Sequence, residues 1–170
     1  MLEKVLRIIY NINGDFMKRK QIIFLILSML ATIFIFSNSL KNAQLSSKDS
    51  SVIVDIIKNA AKSLGADVNE SFVGSLTVIV RKAAHVSEFA LQAFLVSLFL
   101  RSLGFSLWEK APAALLCGLL TACTDEAIQL LSPGRASLVT DVFIDFIGVI
   151  IGFCAAFALL YFRRDAGSRR

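Results

Sequence analysis

The sequence is poor in the residues that characterise soluble and disordered proteins. Only 18% of its 170 residues are charged, against about a quarter in an ordinary soluble domain, and just two prolines interrupt it. With 56% hydrophobic residues and 14 phenylalanines, the chain is too apolar for disorder and for a single water-soluble core. These figures exclude a separate soluble catalytic domain and indicate an integral membrane protein.

Residues that bind metals or act as nucleophiles in familiar motifs are equally scarce. The three cysteines, Cys117, Cys123 and Cys154, lie in apolar runs without CxxC or Cys/His spacing, so we predict neither a disulfide nor a zinc site. A single histidine cannot complete a two-histidine phosphatase arrangement, and no GxSxG motif occurs. The net charge of +5 fits the surplus of cytoplasmic Lys and Arg in membrane proteins, so we predict no nucleic-acid partner.

Four apolar runs are long enough to cross a membrane, since a helical span needs about 20 residues. They cover residues 21–40, 83–103, 111–131 and 142–162, and Pro112 stands where helices commonly begin. No cleavage site follows the first run, so we interpret it as a retained anchor rather than a signal peptide. The runs predict an all-α fold, a four-helix transmembrane bundle over residues 21–162, between a lead of residues 1–20 and a basic tail of residues 163–170.

The distribution of charge predicts the orientation of this bundle. Placing both termini in the cytoplasm assigns 11 basic and 4 acidic residues to that side, a net of +7, and leaves a net of −2 elsewhere. Basic residues concentrate on the cytoplasmic side of membrane proteins, so we predict a multi-pass protein with both termini inside. Residues 41–80 then form the one long extracytoplasmic loop.

Within this loop, apolar residues recur at helical spacing between positions 51 and 64. The pattern predicts an amphipathic helix that lies on the membrane surface or caps the bundle. A second short helix over residues 71–80 would lead into the second span.

The ionisable residues of the last three spans gather at their predicted outer ends. A charged residue at the centre of a span costs roughly 2.5–3.5 kcal/mol, so these side chains must face one another or a polar cavity. The ionisable residues of the second span recur at spacings of three and four residues, which places them on one helix face. The short turn around position 135 predicts that the last two spans form an antiparallel hairpin. The predicted ligand-binding residues are Arg81, Lys82, His85, Glu88, Asp125, Glu126, Gln129, Arg135, Asp141 and Asp145.

This cluster holds three fixed cations and five carboxylates. The two unbalanced carboxylates require protons, a protonated His85, a bound metal ion or a cationic ligand. An oxygen-rich site favours Mg²⁺, Ca²⁺ or Mn²⁺. The candidate metal ligands are Glu88, Asp125, Asp141 and Asp145, and the candidate catalytic residues are His85, Glu88, Asp125 and Asp145. A purely structural ion-pair network is the alternative to a functional site.

The order and spacing of these residues resemble the VanZ-like family of small bacterial membrane proteins. The resemblance implies a protein of the bacterial cytoplasmic membrane and cell envelope, related to one associated with glycopeptide (teicoplanin) resistance, and it supplies no reaction. Phe89 and Asp145 depart from the family, which commonly has Tyr and Asn at these positions. The resemblance rests on Arg81-Lys82-x-x-His85-x-x-Glu88-Phe89, on Asp125-Glu126-x-x-Gln129-x-x-x-Pro133-Gly134-Arg135, on Asp141-x-x-x-Asp145-x-x-Gly148-x-x-x-Gly152, and on Ser37 and Ser39 after the first span.

Three functions stay open at this point. In the first, an outward-facing pocket binds a lipid-linked or cell-wall precursor, or the glycopeptide itself, through Arg81, Lys82 and Arg135, and membrane lipid is a partner. In the second, the chain is an intramembrane hydrolase or transferase, in which His85 exchanges protons and carboxylates hold a divalent cation. In the third, acidic pairs relay protons in a transporter or channel subunit, which would need to form an oligomer.

Overall fold

The computed structural model describes residues 18–133 and 138–168, and these residues form helices joined by short connections, with no strand among them. Four of the helices are long and apolar enough to cross a membrane. The predicted all-α fold and four-helix bundle are therefore confirmed. The helices are α1 (Arg19–Ser39), α2 (Ala43–Ser63), α3 (Glu70–Ser102), α4 (Leu107–Gln129) and α5 (Val139–Ser168).

Polar side chains fix where three of the helices begin. Asn42 and Asn69 precede α2 and α3, and each side chain accepts a hydrogen bond from a backbone N–H in the first turn. Ser106 and Glu109 form a reciprocal capping box ahead of α4. This box starts α4 at Leu107, so that Pro112 lies inside the helix rather than at its start, contrary to the sequence-based expectation.

Helix α3 is the longest element, with 33 residues. It joins the predicted short helix over 71–80 and the predicted span over 83–103 into one continuous helix. At 1.5 Å per residue it measures about 50 Å, whereas the hydrocarbon core of a bilayer is about 30 Å thick. Part of α3 is therefore expected to extend beyond the hydrocarbon core.

Helix α2 is amphipathic and contacts the bundle along a narrow face. Val54 is 4% exposed, whereas Ile53 and Ile56 are 51% and 64% exposed. The apolar face is thus not covered by the protein, which favours a position on the membrane surface over a cap on the bundle. The helix begins at Ala43, eight residues before the amphipathic pattern that predicts it.

Helices α3, α4 and α5 pack closely through glycines. A Cβ atom added at Gly148 or Gly152 of α5 would lie 2.4 Å from the Val86 carbonyl oxygen or 1.9 Å from that of Ala90. These distances are shorter than any normal contact, so only glycine permits the approach of α5 to the α3 backbone. Gly118 of α4 gives similar room to the side chain of Val149.

The interior of the bundle is a small apolar cluster, and the outer surface is apolar as well. Phe89 is fully buried in this cluster with Ile35, Ala93, Ala122 and Val149. Large aliphatic side chains of α1 and α5 point outward, as expected where a helix meets lipid tails.

Candidate functional site

Four helices bring polar residues to the same end of the bundle. The polar residues come from the C-terminal ends of α1 and α4, the middle of α3 and the N-terminal end of α5. Their polar side chains are largely withdrawn from the surface, and this end is the predicted outer one. The buried polar residues at this end are Ser39, Asp125, Glu126, Gln129, Ser132 and Asp145.

Asp125 lies at the centre of a network of neutral hydrogen-bond donors. The Ser39 hydroxyl donates to one of its carboxylate oxygens, and the Gln129 amide donates to the other over 2.8 Å. The Ser132 hydroxyl donates to the Ser39 carbonyl oxygen over 2.8 Å. These bonds tie the end of α1 to the end of α4 and fix the direction of the carboxylate without balancing its charge.

Lys82 and Asp141 form an ion pair between α3 and α5. Both side chains are partly exposed, at 35% and 26%, so the pair lies at the rim of the polar region. Asp141 also belongs to the first turn of α5, where a negative charge interacts favourably with the helix dipole. Lys82 is therefore already matched by a carboxylate.

Asp145 lies one turn further along α5 and is 2% exposed. Its Oδ1 atom is 3.9 Å from Nδ1 of His85 on α3. Its Oδ2 atom has no hydrogen-bond partner in the described part of the chain. Burial of a carboxylate oxygen without a hydrogen-bond donor is costly unless a further group satisfies it.

The two glutamates of the predicted site contact elements other than their own helices. Asn38 of α1 donates from its amide to Glu88 over 2.8 Å. Glu126 accepts a hydrogen bond of 3.0 Å from the backbone N–H of Leu138, immediately before α5. Glu88 therefore links α3 to α1, and Glu126 links α4 to the start of α5.

Polar contacts continue one turn below Asp125, towards the middle of the bundle. The Gln92 amide donates to the hydroxyls of Thr32 and Thr121, at 2.9 and 2.8 Å. Gln92 is 1% exposed and follows Glu88 by four residues, on the same face of α3. The polar region therefore reaches α1, α3 and α4 at this depth.

A cavity of about 310 Å³ opens between α3, α4 and α5, within the usual size range of small-ligand sites. Arg81 reaches this cavity and has no carboxylate partner in the described part of the chain. Apolar and charged side chains mix on the walls, which suits an amphiphilic ligand. The lining residues are Val78, Arg81, Lys82, His85, Glu126, Gln129, Leu138, Asp141, Ile144 and Asp145.

The structure thus gathers nine of the ten predicted ligand-binding residues in one region. Seven of them line the cavity, whereas Asp125 and Glu88 lie in the adjoining hydrogen-bond network. Arg135 lies outside the described residues. Their assignment as a ligand-binding site stays a prediction.

Three members of the network are missing from the predicted set: Asn38, Ser39 and Ser132. Each follows or ends an apolar run, where a polar residue carries no distinctive periodic signal. The family resemblance includes Ser39, and it is the feature of the sequence that points to this residue.

Comparison with known proteins places the chain in a family. No curated protein and no solved structure matches it. The model of the VanZ/LLP1 family matches residues 23–161, which include most of each apolar helix and every described residue of the polar region. The chain therefore belongs to the VanZ/LLP1 family.

Proposed function

We propose that this protein binds the anionic headgroup of a lipid-linked cell-wall ligand in the cavity between α3, α4 and α5. The observation that supports this most directly is Arg81, a cation on the cavity wall that no carboxylate of the described chain neutralises. A guanidinium group binds phosphate and carboxylate through two parallel hydrogen bonds. Lys82 is less available, because Asp141 already pairs with it.

The walls of the cavity also support a ligand attached to a lipid. Val78, Leu138 and Ile144 line it beside the charged residues, and Ile79, Val139 and Phe143, which neighbour lining residues in the sequence, are exposed. A headgroup could enter among the charges while its hydrocarbon chain stays in the membrane. A water-soluble anion would gain nothing from the apolar part of this lining.

The headgroup proposal is tested with the purified protein in lipid nanodiscs. We expect a polyprenyl phosphate to bind and the matching polyprenol, which lacks the phosphate, to bind at least tenfold more weakly. Arg81→Ala should lower the affinity for the phosphate by about tenfold or more, the usual effect of losing a charge-assisted hydrogen bond. Arg101→Ala is the matched control, because Arg101 lies in the last turn of the same helix and does not line the cavity. Equal binding of the two lipids would contradict the proposal.

Resistance to glycopeptides follows as the cellular role we propose for the same cavity. Cells that depend on this protein for teicoplanin resistance should lose it when Arg81 or Arg135 is replaced by alanine, while the protein remains in the membrane. Retention of full resistance by both variants would exclude the cavity from that role.

A second candidate function is hydrolysis or transfer at a lipid-linked phosphate. It is favoured by His85 beside Asp145 on the cavity wall, because a carboxylate that orients an imidazole is a common arrangement for moving protons. Release of phosphate from the polyprenyl lipid by wild-type protein, and its loss in His85→Gln, would establish this function. Binding of the lipid without release would leave the headgroup proposal alone.

A further inference from the structure

Three side chains from three different helices converge beside the cavity. His85 of α3, Asp125 of α4 and Asp145 of α5 each offer one ligand atom, and these atoms lie within 4.8 Å of one another. Two ligands on opposite sides of one ion are separated by about 4.2–4.8 Å when each bond is about 2.1–2.4 Å long. The three atoms are therefore close enough to share an ion after small side-chain adjustments.

The two carboxylates are prepared for a ligand in different ways. Asp125 receives hydrogen bonds from Ser39 and Gln129, and such bonds orient the carboxylates that hold metal ions. Asp145 is 2% exposed, and its Oδ2 atom has no partner in the described part of the chain. A buried oxygen with no donor facing it is what a coordinated cation would satisfy.

Charge favours a cation at this point as well. Among the described residues, neither Asp125 nor Asp145 forms an ion pair with a lysine or arginine, and Lys82 pairs with Asp141 at the rim. Two buried carboxylates beside each other repel strongly in a region of low dielectric constant. A divalent cation would balance both charges at once.

We propose that His85, Asp125 and Asp145 bind a divalent metal ion of the Mn²⁺ type at the wall of the cavity. Mg²⁺ and Ca²⁺ prefer oxygen ligands alone, whereas imidazole nitrogen suits transition metals. A set of one imidazole and two carboxylates matches Mn²⁺, which accepts both. His85 and Asp145 line the cavity, so the open coordination positions of the ion face the space in which we place the headgroup.

Binding of Mn²⁺ to the purified full chain in nanodiscs tests the site, with the loss of the free-ion electron paramagnetic resonance signal as the measurement. We expect one ion per chain and a nitrogen coupling from the imidazole of His85. Asp145→Asn should weaken binding by at least tenfold, and His85→Gln should remove the nitrogen coupling. Asp55→Asn is the control, since Asp55 is an exposed aspartate of α2 that pairs with Lys58 and does not line the cavity; it should change the affinity by less than threefold.

Two results would overturn the metal site. One is the lack of stoichiometric Mn²⁺ binding to the wild-type protein, and the other is a loss of affinity in Asp145→Asn no larger than that in Asp55→Asn. If Asp145→Asn does not fold, the nitrogen coupling in the wild-type protein still decides the matter, and its absence would also reject the site. The test contains no polyprenyl phosphate, so it can fail while the headgroup proposal holds, and the reverse is equally possible.

Discussion

At the scale of single residues, the hydrogen bonds at the end of α1 show how one short side chain organises the site. Ser39 is fully buried and links Asp125 to α1, although it lies at the edge of an apolar run. A hydrogen bond to a charged group typically contributes about 1.5–3 kcal/mol. The position of the Asp125 carboxylate therefore depends on a residue outside the predicted ligand set.

We predict that Ser39→Ala lowers the free energy of unfolding by about 1–3 kcal/mol, because it leaves an oxygen of Asp125 without its donor. The midpoint of thermal unfolding in detergent measures this loss. Ser37→Ala is the control, since Ser37 is exposed and its hydroxyl bonds to the Ile33 carbonyl oxygen of its own helix. Equal effects of the two substitutions would show that the bond to Asp125 contributes nothing.

At the scale of helices, the contact between α3 and α5 depends on the absence of side chains. Gly152→Ala would place a Cβ atom 1.9 Å from the Ala90 carbonyl oxygen, so the two helices must move apart. We expect a loss of at least 1–3 kcal/mol, the usual cost of overpacking, seen as a lower unfolding temperature and a lower yield of folded protein.

Gly74→Ala provides the matched comparison for that substitution. A Cβ atom at Gly74 of α3 meets nothing within 4 Å, and alanine is favoured over glycine in a helix by up to about 1 kcal/mol. This variant should be as stable as the wild type or more so. A stable Gly152→Ala protein would mean that the α3–α5 distance is wrong.

The amphipathic face of α2 leads to a prediction about its surroundings. A spin label at Ile56, which is 64% exposed, should be more accessible to oxygen, which concentrates in lipid, than to a water-soluble nickel reagent. A label at Lys58, near the opposite face, should show the reverse preference. The same preference at both positions would contradict placement of α2 on the membrane surface.

The sequence was sufficient to predict the helices and most of the polar cluster, for reasons that are physical. An apolar run of about 20 residues has few alternatives to a membrane span, and charges within spans must face one another. The helix ends were predicted less well, because single capping residues such as Ser106 decide them. The partners of Asp125 could not be predicted, since a serine on one helix reaches an aspartate on another only once the packing is known.

At the scale of the whole molecule, the predicted orientation places the cavity at the outer surface and Arg101 on the cytoplasmic side. We expect a cysteine at Lys48 to react with a membrane-impermeant maleimide from outside intact cells, in a variant without the three native cysteines. A cysteine at Trp108, which is 89% exposed, should react only after the cells are opened. The opposite pattern would invert the topology and place the cavity in the cytoplasmic half.

The glycine contacts between α3 and α5 also bear on how quickly ligands exchange. Gly148 and Gly152 follow Asp145 by about one and two turns of α5, and at these positions the backbones of α3 and α5 are in contact. The end of the cavity next to these glycines therefore cannot widen by sideways movement of α5. Val78 and Leu138 also line the cavity and precede Lys82 and Asp141 in the sequence, so they stand at the end away from the glycines, where we expect ligands to enter and leave. The residence time of a bound ligand should therefore respond to substitutions at Val78 and Leu138. Substitutions at Gly148 and Gly152 should instead change only whether the bundle folds.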